Sequence, residues 1–296
     1  MNASAASVPE PVSVGRHVGV DAPSLRDLAV RLATEAAELA RRMRADGIEV
    51  ADTKSSAVDV VTAADRACEE LIRTRLAVHR PDDSVLGEEG DDLVGTSGVR
   101  WIVDPIDGTV NYLYGLAECA VSIAAEVEGV VVAGAVVNIV TSTTYAAALG
   151  AGATRDGVTI GVRRATGPDQ WLVLTGFGYR AEVRAHQAAC VARLLPRVRD
   201  IRRMGSCALD LCHVAEGSGD AYVEEGPQIW DFSAGGLILS EAGGRFEVLA
   251  GTLPDVVAGT AQRALLVGTA APSWEPFIEL LEAGGFLDAH SIPAGV

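Results

Sequence analysis

The chain has 296 residues, and its 24 Lys and Arg residues against 40 Asp and Glu residues give a formal net charge of −16. A negative field of this size argues against fold-wide binding to nucleic acid or to an anionic membrane. Hydrophobic residues make up 49% and charged residues 22% of the chain, so it can build a sizeable core and general disorder is excluded. The length suits two domains or one large domain.

The cysteines and the hydropathy pattern indicate a reducing compartment. The five cysteines form no Cys-x-x-Cys pair and no Cys/His cluster with zinc spacing, so we expect reduced thiols. No apolar run approaches the roughly 18 residues that a membrane span needs. Residues 1–23 lack the features of a secretory signal and are predicted to form a disordered tail. We therefore expect a cytoplasmic protein without a membrane partner.

The first half of the chain is predicted to contain two helices followed by short strands. Apolar residues recur at helical spacing over residues 24–45, with Ser24 as the expected N-cap. A second helix is predicted over residues 63–78, where Thr62 and Asp65 resemble a capping pair. The expected strands are residues 84–86, 99–103, 120–127, 130–137, 143–149 and 157–162.

The second half alternates strands and helices. The expected strands are residues 171–174, 198–202, 221–224 and 265–267. The expected helices are residues 181–195, 205–216, 231–242 and 274–283. The pattern predicts an α+β domain with an antiparallel sheet over residues 24–165 and an α/β domain over residues 166–296, so the fold class is α/β.

The strongest chemical signal is the motif at residues 104–109, Asp-Pro-Ile-Asp-Gly-Thr, which follows an apolar strand. Carboxylates as close as Asp104 and Asp107 repel each other by about 1 to 4 kcal/mol, and such pairs persist where a cation lies between them. The backbone N–H groups of Gly108 and Thr109 form a nest suited to an anion. A cation site beside an anion nest fits a phosphate ester, although Asp, Pro and Gly are also ordinary turn formers.

Two other segments place carboxylates at the ends of predicted elements. Glu88 and Glu89 follow a short apolar strand, and Asp231 opens a predicted helix of small residues. The active sites of layered α/β proteins gather at such ends. Each segment also has an ordinary interpretation, which is a solvated surface pair at Glu88 and Glu89 and an N-cap at Asp231.

Five segments in the same order resemble the inositol monophosphatase family, the magnesium-dependent, lithium-sensitive phosphatases. They are KSS (54–56) with VTAAD (61–65), GEE (87–89), WIVDPIDGT (101–109), GSCALD (205–210) with DAYVE (220–224), and WDFSAG (230–235) through EAGG (241–244). The resemblance extends from about Leu25 to the end of the chain. It implies a layered αβαβα sandwich of the sugar-phosphatase type, and it implies a homodimer.

The resemblance also implies a magnesium site. Two or three Mg²⁺ ions would be bound by hard oxygen ligands, namely Glu88, Asp104, Asp107, Asp231 and the carbonyl of Ile106. Four carboxylates would then carry about −4 and the ions about +4 to +6, so a phosphate dianion would enter only with metal present. A metal-bound water held by Glu88, with Thr109 and Asp104 nearby, would be the nucleophile, and no phospho-enzyme would form.

The same resemblance implies contacts with a phosphorylated polyol. The expected substrate-binding residues are Asp107, Gly108, Thr109, Gly205, Ser206, Cys207, Glu224 and Asp231. Glu224 would accept hydrogen bonds from the hydroxyl groups, while Cys207 is equally well explained as a small buried residue. Lys54 and Asp65 would support the metal site, although a solvated lysine and a helix-capping aspartate are the ordinary interpretations.

The substrate and the activity have alternatives. We expect hydrolysis of myo-inositol monophosphate to inositol and phosphate, but the same chemistry would act on histidinol phosphate, fructose 1,6-bisphosphate or 3′-phosphoadenosine 5′-phosphate. An aspartyl nucleophile is disfavoured because the spacing Asp-x-Asp-x-Thr is absent. The non-enzyme alternative is a regulatory binding protein, for which the arginines at 193, 197, 199, 202 and 203 form either a docking patch or a solvated face.

Overall fold

The computed structural model describes residues 21–47, 50–53, 60–252 and 263–287. Their helices and strands stack in five layers, which alternate between helices and sheets. Residues 1–20, which make up most of the predicted N-terminal tail, and Lys54 lie outside the described residues.

The first layer contains two helices. Two short strands, which pair as a small antiparallel sheet, connect these helices in the sequence. Its elements are α1 (Ala22–Asp46), β1 (Val50–Thr53), β2 (Val60–Thr62) and α2 (Ala63–His79). The N-cap of α1 is Asp21 rather than the predicted Ser24, because the Asp21 carboxylate accepts the Ser24 N–H at 3.2 Å. Pro23 is tolerated there because it lies in the first turn. The capping pair predicted at the start of α2 is confirmed.

The second layer is a seven-stranded sheet in which the strands follow one another in chain order. Its strands are β3 (Ser84–Gly87), β4 (Val99–Asp107), β5 (Ala120–Val127), β6 (Val130–Asn138), β7 (Thr144–Ala148), β8 (Ala153–Arg155) and β9 (Val158–Thr159), and α3 (Thr109–Tyr114) connects β4 to β5. The antiparallel prediction is correct for every pair except β3 and β4, which are parallel.

Strand β4 continues beyond its predicted end at residue 103. It passes through Pro105 and ends at Asp107, and its register with β5 shifts between Asp104 and Asp107. Proline has no N–H to donate to the neighbouring strand, so the ladder is interrupted at this point. The irregular segment therefore carries both aspartates of the motif at the end of a buried strand.

The remaining elements form the other three layers. In chain order they are β10 (Leu172–Thr175), α4 (Ala181–Leu194), β11 (Asp200–Arg202), α5 (Cys207–Glu216), β12 (Ala221–Glu225), α6 (Ile229–Glu241), β13 (Gly244–Ala250), β14 (Ala264–Ala270) and α7 (Trp274–Gly284). The five-stranded sheet has the order β11-β10-β12-β14-β13, with β10 parallel to β11 and β12. Strand β13, which pairs antiparallel with β14, was not predicted.

Three groups of buried apolar side chains separate the layers. The first lies between α1 and α2 and the seven-stranded sheet, and the second surrounds α5 and α6 between the two sheets. The third lies beneath α4 and α7 on the outer face of the five-stranded sheet. This arrangement is the αβαβα sandwich that the family resemblance implies. None of the helices in the described part of the chain has the length and hydrophobicity that a membrane crossing requires.

Helix α6 approaches the seven-stranded sheet closely. A Cβ atom at Gly134 of β6 would lie only 3.0 Å from the Cα of Ala234, so a glycine is needed at this crossing. Close packing of this kind fixes the position of α6 against the sheet. It thereby brings the first turn of α6 towards the end of β4.

Candidate active site

A carboxylate cluster forms where the end of β4 meets the first turn of α6. One carboxylate oxygen from each of Asp104, Asp107 and Asp231 lies within 4.8 Å of the other two. Helix α6 begins at Ile229, so Asp231 is its third residue and not its N-cap. Its carboxylate accepts the N–H of Gln228 at 2.6 Å, which orients the side chain at the helix start.

The carboxylate cluster is electrostatically unfavourable by itself. Asp104 and Asp107 are only 1% and 8% exposed. Burial, followed by repulsion from the neighbouring carboxylates, raises the pKa of Asp104 and of Asp231 well above the ordinary value. Burial raises the pKa of Asp107 to about 6, against opposing hydrogen bonds from Ser206 and the Ala208 N–H. Within the described residues, no basic side chain forms an ion pair with the three aspartates.

This donor set fits a divalent cation. The cavity above the cluster is lined by the three aspartates, Glu88 and Ile106, which offer carboxylate and carbonyl oxygens. Oxygen donors of this kind suit hard cations such as Mg²⁺, whereas zinc sites favour nitrogen and sulfur. A bound cation would neutralise the repulsion among buried carboxylates that no protein cation in the described ranges relieves.

Glu88 joins the cluster from the end of β3. It is hydrogen bonded to Asp104, and this contact adds to the raised pKa of Asp104. The loop that carries Glu88 is held by Glu69 of α2, whose carboxylate accepts the N–H groups of Glu89 and Gly90, both at 2.8 Å. Sequence reasoning missed Glu69. Its position on the buried face of an amphipathic helix was the available signal, because a buried glutamate needs a specific partner.

Asp65 combines the two interpretations that the sequence left open. One carboxylate oxygen accepts the Thr62 N–H at 2.8 Å and caps α2. The other lies 3.2 Å from the hydroxyl oxygen of Thr109, which is also 3.0 Å from the carbonyl oxygen of Ile106. The helix cap therefore aims a carboxylate at the threonine hydroxyl that lines the cavity.

Ser206 lies behind Asp107 rather than in the substrate cavity. Its hydroxyl donates to Asp107 Oδ2 at 2.6 Å, and the Ala208 N–H donates to the same oxygen at 2.7 Å. The Ser206 oxygen also caps α5 by accepting the Leu209 N–H at 3.2 Å. The start of α5 thus holds the Asp107 carboxylate in place, and the helix dipole favours its negative charge.

A cavity of about 410 Å³ opens above the carboxylate cluster. The predicted site residues along its wall are Glu88, Asp104, Ile106, Asp107, Gly108, Thr109, Gly205, Cys207, Glu224 and Asp231. The hydroxyl of Tyr222 donates to Glu224 Oε2 at 2.8 Å. Burial raises the pKa of the Cys207 thiol well above its ordinary value, so this cysteine is a neutral wall residue.

The sequence of the chain matches the model of the inositol monophosphatase family over residues 21–276. The chain belongs to this family. It is 48% identical over 239 residues to the inositol-1-monophosphatase SuhB of Mycobacterium tuberculosis, covering 75% of this chain and 82% of that protein. It is 34% identical over 220 residues to the Nus factor SuhB of Escherichia coli, covering 74% and 82% of the two chains.

Solved structures of inositol monophosphatase-fold proteins match the architecture. The structure of Mycobacterium tuberculosis SuhB has a TM-score of 0.76 at 39% identity and covers 90% of this chain and 99% of its own. The extragenic suppressor protein suhB from Bartonella henselae has a TM-score of 0.78 at 30% identity, with coverage of 88% and 98%. Membership of the family supports a phosphatase activity.

Several cavity residues of this family member were not identified from the sequence as site residues. Arg180, Arg203 and Arg263 line the cavity. Tyr222 does not line it, but its hydroxyl donates a hydrogen bond to Glu224. Arg203 was considered only as part of a surface patch. An isolated arginine carries no periodic or spacing signal, so only the folded chain shows that these three side chains converge.

Proposed function

We propose that the chain is a Mg²⁺-dependent phosphomonoesterase that hydrolyses myo-inositol monophosphate to inositol and phosphate, without a phospho-enzyme. The observation that carries the proposal is the carboxylate cluster, whose three aspartates, two of them buried, line a cavity that Glu224 also lines. In this proposal residues 24–165 supply Glu88, Asp104 and Asp107. Residues 166–296 supply Asp231 and most of the substrate pocket.

The divalent ions would be held by oxygen ligands, which are Glu88, Asp104, Asp107, Asp231 and the Ile106 carbonyl. When bound, Mg²⁺ would lower the pKa of a coordinated water and offset the negative charge of the ester. Two features of the chain support this assignment. The ligands come from three separate elements, and the Asp107 carboxylate is fixed by two donors from the start of α5, which keeps the ligand oxygens in a defined arrangement.

Thr109 and Asp65 would handle the proton of the attacking water. The Thr109 hydroxyl can accept a hydrogen bond from a water in the cavity while it donates its own proton towards Asp65 Oδ1, 3.2 Å away. Asp65 is held by the α2 cap on its other oxygen. This arrangement would orient the water and carry its proton away from the ester.

The substrate would lie between the motif loop and Glu224. The N–H groups of Gly108 and Thr109 would bind phosphate oxygens, because they line the same cavity as the carboxylate cluster. Glu224 uses Oε2 to accept the Tyr222 hydroxyl, which leaves Oε1 available for a substrate hydroxyl. A polyhydroxylated ring matches a wall that offers a carboxylate acceptor and backbone groups.

The proposal is tested by measuring phosphate release from myo-inositol 1-phosphate with Mg²⁺, with EDTA, and with added Li⁺. We expect turnover only with Mg²⁺ and inhibition by Li⁺. Asp104→Asn should abolish turnover, whereas the matched control Asp27→Asn, on the exposed face of α1, should not change it. Equal inertness of the wild-type protein and Asp104→Asn, both folded, would contradict the proposal.

A regulatory binding protein is the second candidate, and the observation that favours it is the similarity to relatives named Nus factor SuhB. The predicted arginine patch gives it little support. Arg193 donates to the Gly284 carbonyl at 2.8 Å, Arg202 pairs with Asp200, and Arg203 faces the cavity. A folded protein that binds RNA or a protein partner and shows no phosphate release would favour this candidate.

A further inference from the structure

Helix α2 carries three charged residues at four-residue spacing along one face, which we call the charged stripe. They are Asp65, Glu69 and Arg73. Asp65 is 0% exposed and Glu69 is 2% exposed, although the buried face of such a helix is usually apolar. Because a buried charge is costly without specific partners, the contacts of the charged stripe show what it does in the fold.

The Glu69 carboxylate is surrounded by donors. Oε2 accepts the N–H of Glu89 and Oε1 accepts the N–H of Gly90, both at 2.8 Å. Oε1 also accepts a hydrogen bond from Arg73 Nε at 2.7 Å, so a guanidinium charge balances the carboxylate. Hydrogen bonds to an ionised group are roughly twice as strong as neutral ones. Glu69 therefore holds the backbone that directly follows Glu88.

The loop at residues 87–90, Gly-Glu-Glu-Gly, fits closely around this carboxylate. A Cβ atom at Gly90 would lie 2.8 Å from Glu69 Oε1, and a Cβ atom at Gly87 would lie closer still. Neither glycine has a positive φ. The approach of the Glu69 side chain, rather than a turn conformation, is thus the reason that these two positions need a residue without a Cβ atom.

Glu88 is positioned from both sides of the loop. It follows β3, a four-residue strand at the edge of the seven-stranded sheet, whose pairing with β4 ends at Gly87. On the other side, the backbone at residues 89 and 90 is fixed by Glu69. The Glu88 side chain hydrogen bonds to Asp104 and lines the cavity. Loss of the Glu69 contact would release the loop on one side of an expected metal ligand.

We propose that Glu69 is a positioning residue for the divalent-metal site, on which it acts through the loop that carries Glu88. Removal of a residue that supports a metal ligand typically costs about 10- to 100-fold in metal affinity. One turn earlier on the charged stripe, Asp65 directs a carboxylate oxygen at the Thr109 hydroxyl. Helix α2 would thus align both the Glu88 loop and the threonine of the motif. This inference rests on the proposed metal-dependent function of the same cavity.

A second glutamate makes the same kind of contact away from the cavity. Glu241 accepts the N–H groups of Gly150 and Gly152, both at 2.8 Å. It lies at the opposite end of α6 from Asp231 and does not line the cavity. Glu241→Gln therefore weakens an equivalent pair of hydrogen bonds on a loop that carries no expected metal ligand, and it is the matched control for Glu69→Gln.

The test is calorimetric titration of the folded proteins with MgCl₂ in the absence of substrate. The Kd for Mg²⁺ should rise at least about tenfold in Glu69→Gln and should stay at the wild-type value in Glu241→Gln. In phosphate release from myo-inositol 1-phosphate, Glu69→Gln should need a correspondingly higher Mg²⁺ concentration for its half-maximal rate, while kcat at saturating Mg²⁺ should approach that of the wild type. A merely structural role would instead lower kcat at every Mg²⁺ concentration and leave Kd unchanged.

Gly90→Ala tests the same contact from the loop side and replaces Glu69→Gln if that variant does not fold. Its Cβ atom should displace the Glu69 carboxylate and raise the Kd for Mg²⁺. In a Glu69→Ala background, which lacks that carboxylate, Gly90→Ala should cause no further rise. Equal Kd values for the wild type, Glu69→Gln and Gly90→Ala would overturn the inference even if the wild type hydrolyses the ester. An inert wild type that shows the difference in Kd would overturn only the phosphatase proposal.

Discussion

Two groups of acidic side chains, each at least partly buried, differ in how their charge is balanced. The carboxylate cluster contains no basic side chain among the described residues. In the second group, which we call the histidine network, His213 lies between Glu118 and Glu216. Its ring nitrogens are 3.3 and 3.2 Å from their carboxylate oxygens. Arg155 adds a contact of 2.8 Å to Glu216.

The histidine network supplies its own positive charge. Burial lowers the pKa of His213, but the hydrogen bonds with Glu118 and Glu216 outweigh burial and raise it to about 9. Burial raises the pKa of Glu216, yet hydrogen bonds from His213, Ser218 and Tyr145 lower it to about 2. This group is therefore charged and paired at neutral pH. The comparison indicates that the histidine network stabilises the fold, whereas the carboxylate cluster is the place where we propose that a cation from solution binds.

The largest expected effect is that of Asp231→Asn in the carboxylate cluster, which should lower activity and raise stability. Asp231→Asn removes one expected ligand and should reduce kcat/KM for myo-inositol 1-phosphate by at least about 100-fold. The same change removes a buried like charge, so the midpoint of thermal unfolding without metal should rise. Asp156→Asn on an exposed turn is the control and should change neither quantity. A fall in the midpoint of thermal unfolding without metal would contradict the conclusion that the negative charges of the cluster repel each other without a neighbouring positive charge.

Metal binding should stabilise the protein through the same cluster. At a Mg²⁺ concentration of about 100 times Kd, the expected gain in the free energy of unfolding is about 2.7 kcal/mol. Scanning calorimetry with and without Mg²⁺ measures this gain. It should be lost in Asp231→Asn and retained in a variant of the histidine network. If both variants respond to Mg²⁺ like the wild type, the ion binds elsewhere.

Removing the charged residue of the histidine network should lower the stability of the fold, which is the opposite of the effect expected for Asp231→Asn without metal. His213→Gln is expected to lower the free energy of unfolding by about 2 kcal/mol at pH 7, because charged hydrogen bonds are lost. The folded pKa lies above the ordinary value of 6.5, so this stabilisation is complete below pH 6.5 and disappears as the pH rises through about 9. Urea unfolding at pH 6, 8 and 10 tests this course. The control is His79→Gln at the exposed end of α2, which should have little effect at any of the three pH values.

The smallest expected effect concerns two tyrosines that each donate to a glutamate. Tyr222→Phe removes the 2.8 Å hydrogen bond to Glu224, and Tyr145→Phe removes the 3.0 Å hydrogen bond to Glu216. Each should cost about 1 kcal/mol of stability. Only Tyr222→Phe should raise KM for myo-inositol 1-phosphate, by about fivefold. Equal KM values for the two variants would show that Tyr222 does not position Glu224 for the substrate.

Much of the fold follows from local patterns. The helical spacing of α1, the capping box formed by Thr62 and Asp65, and the strands β5 and β6 were predicted because these signals act over a few residues. The prediction of strands failed where packing in the sheet outweighed the local preference of the sequence. Strand β4 runs through Pro105 because its other residues are buried in the sheet, and β13 was missed because its sequence follows a helix stop at Gly243 and Gly244.

The sequence by itself determined which elements form and placed acidic residues at their ends. Only the tertiary structure decided which of these residues meet. It brings Asp231 to Asp104 and Asp107, places Ser206 behind Asp107, and puts Arg203 and Arg263 on the wall of the cavity that Glu224 also lines. The physical reason is that hydrogen bonding and side-chain periodicity act along the chain. Proximity between distant segments depends on how closely helices and sheets pack, as at the glycine where α6 crosses β6.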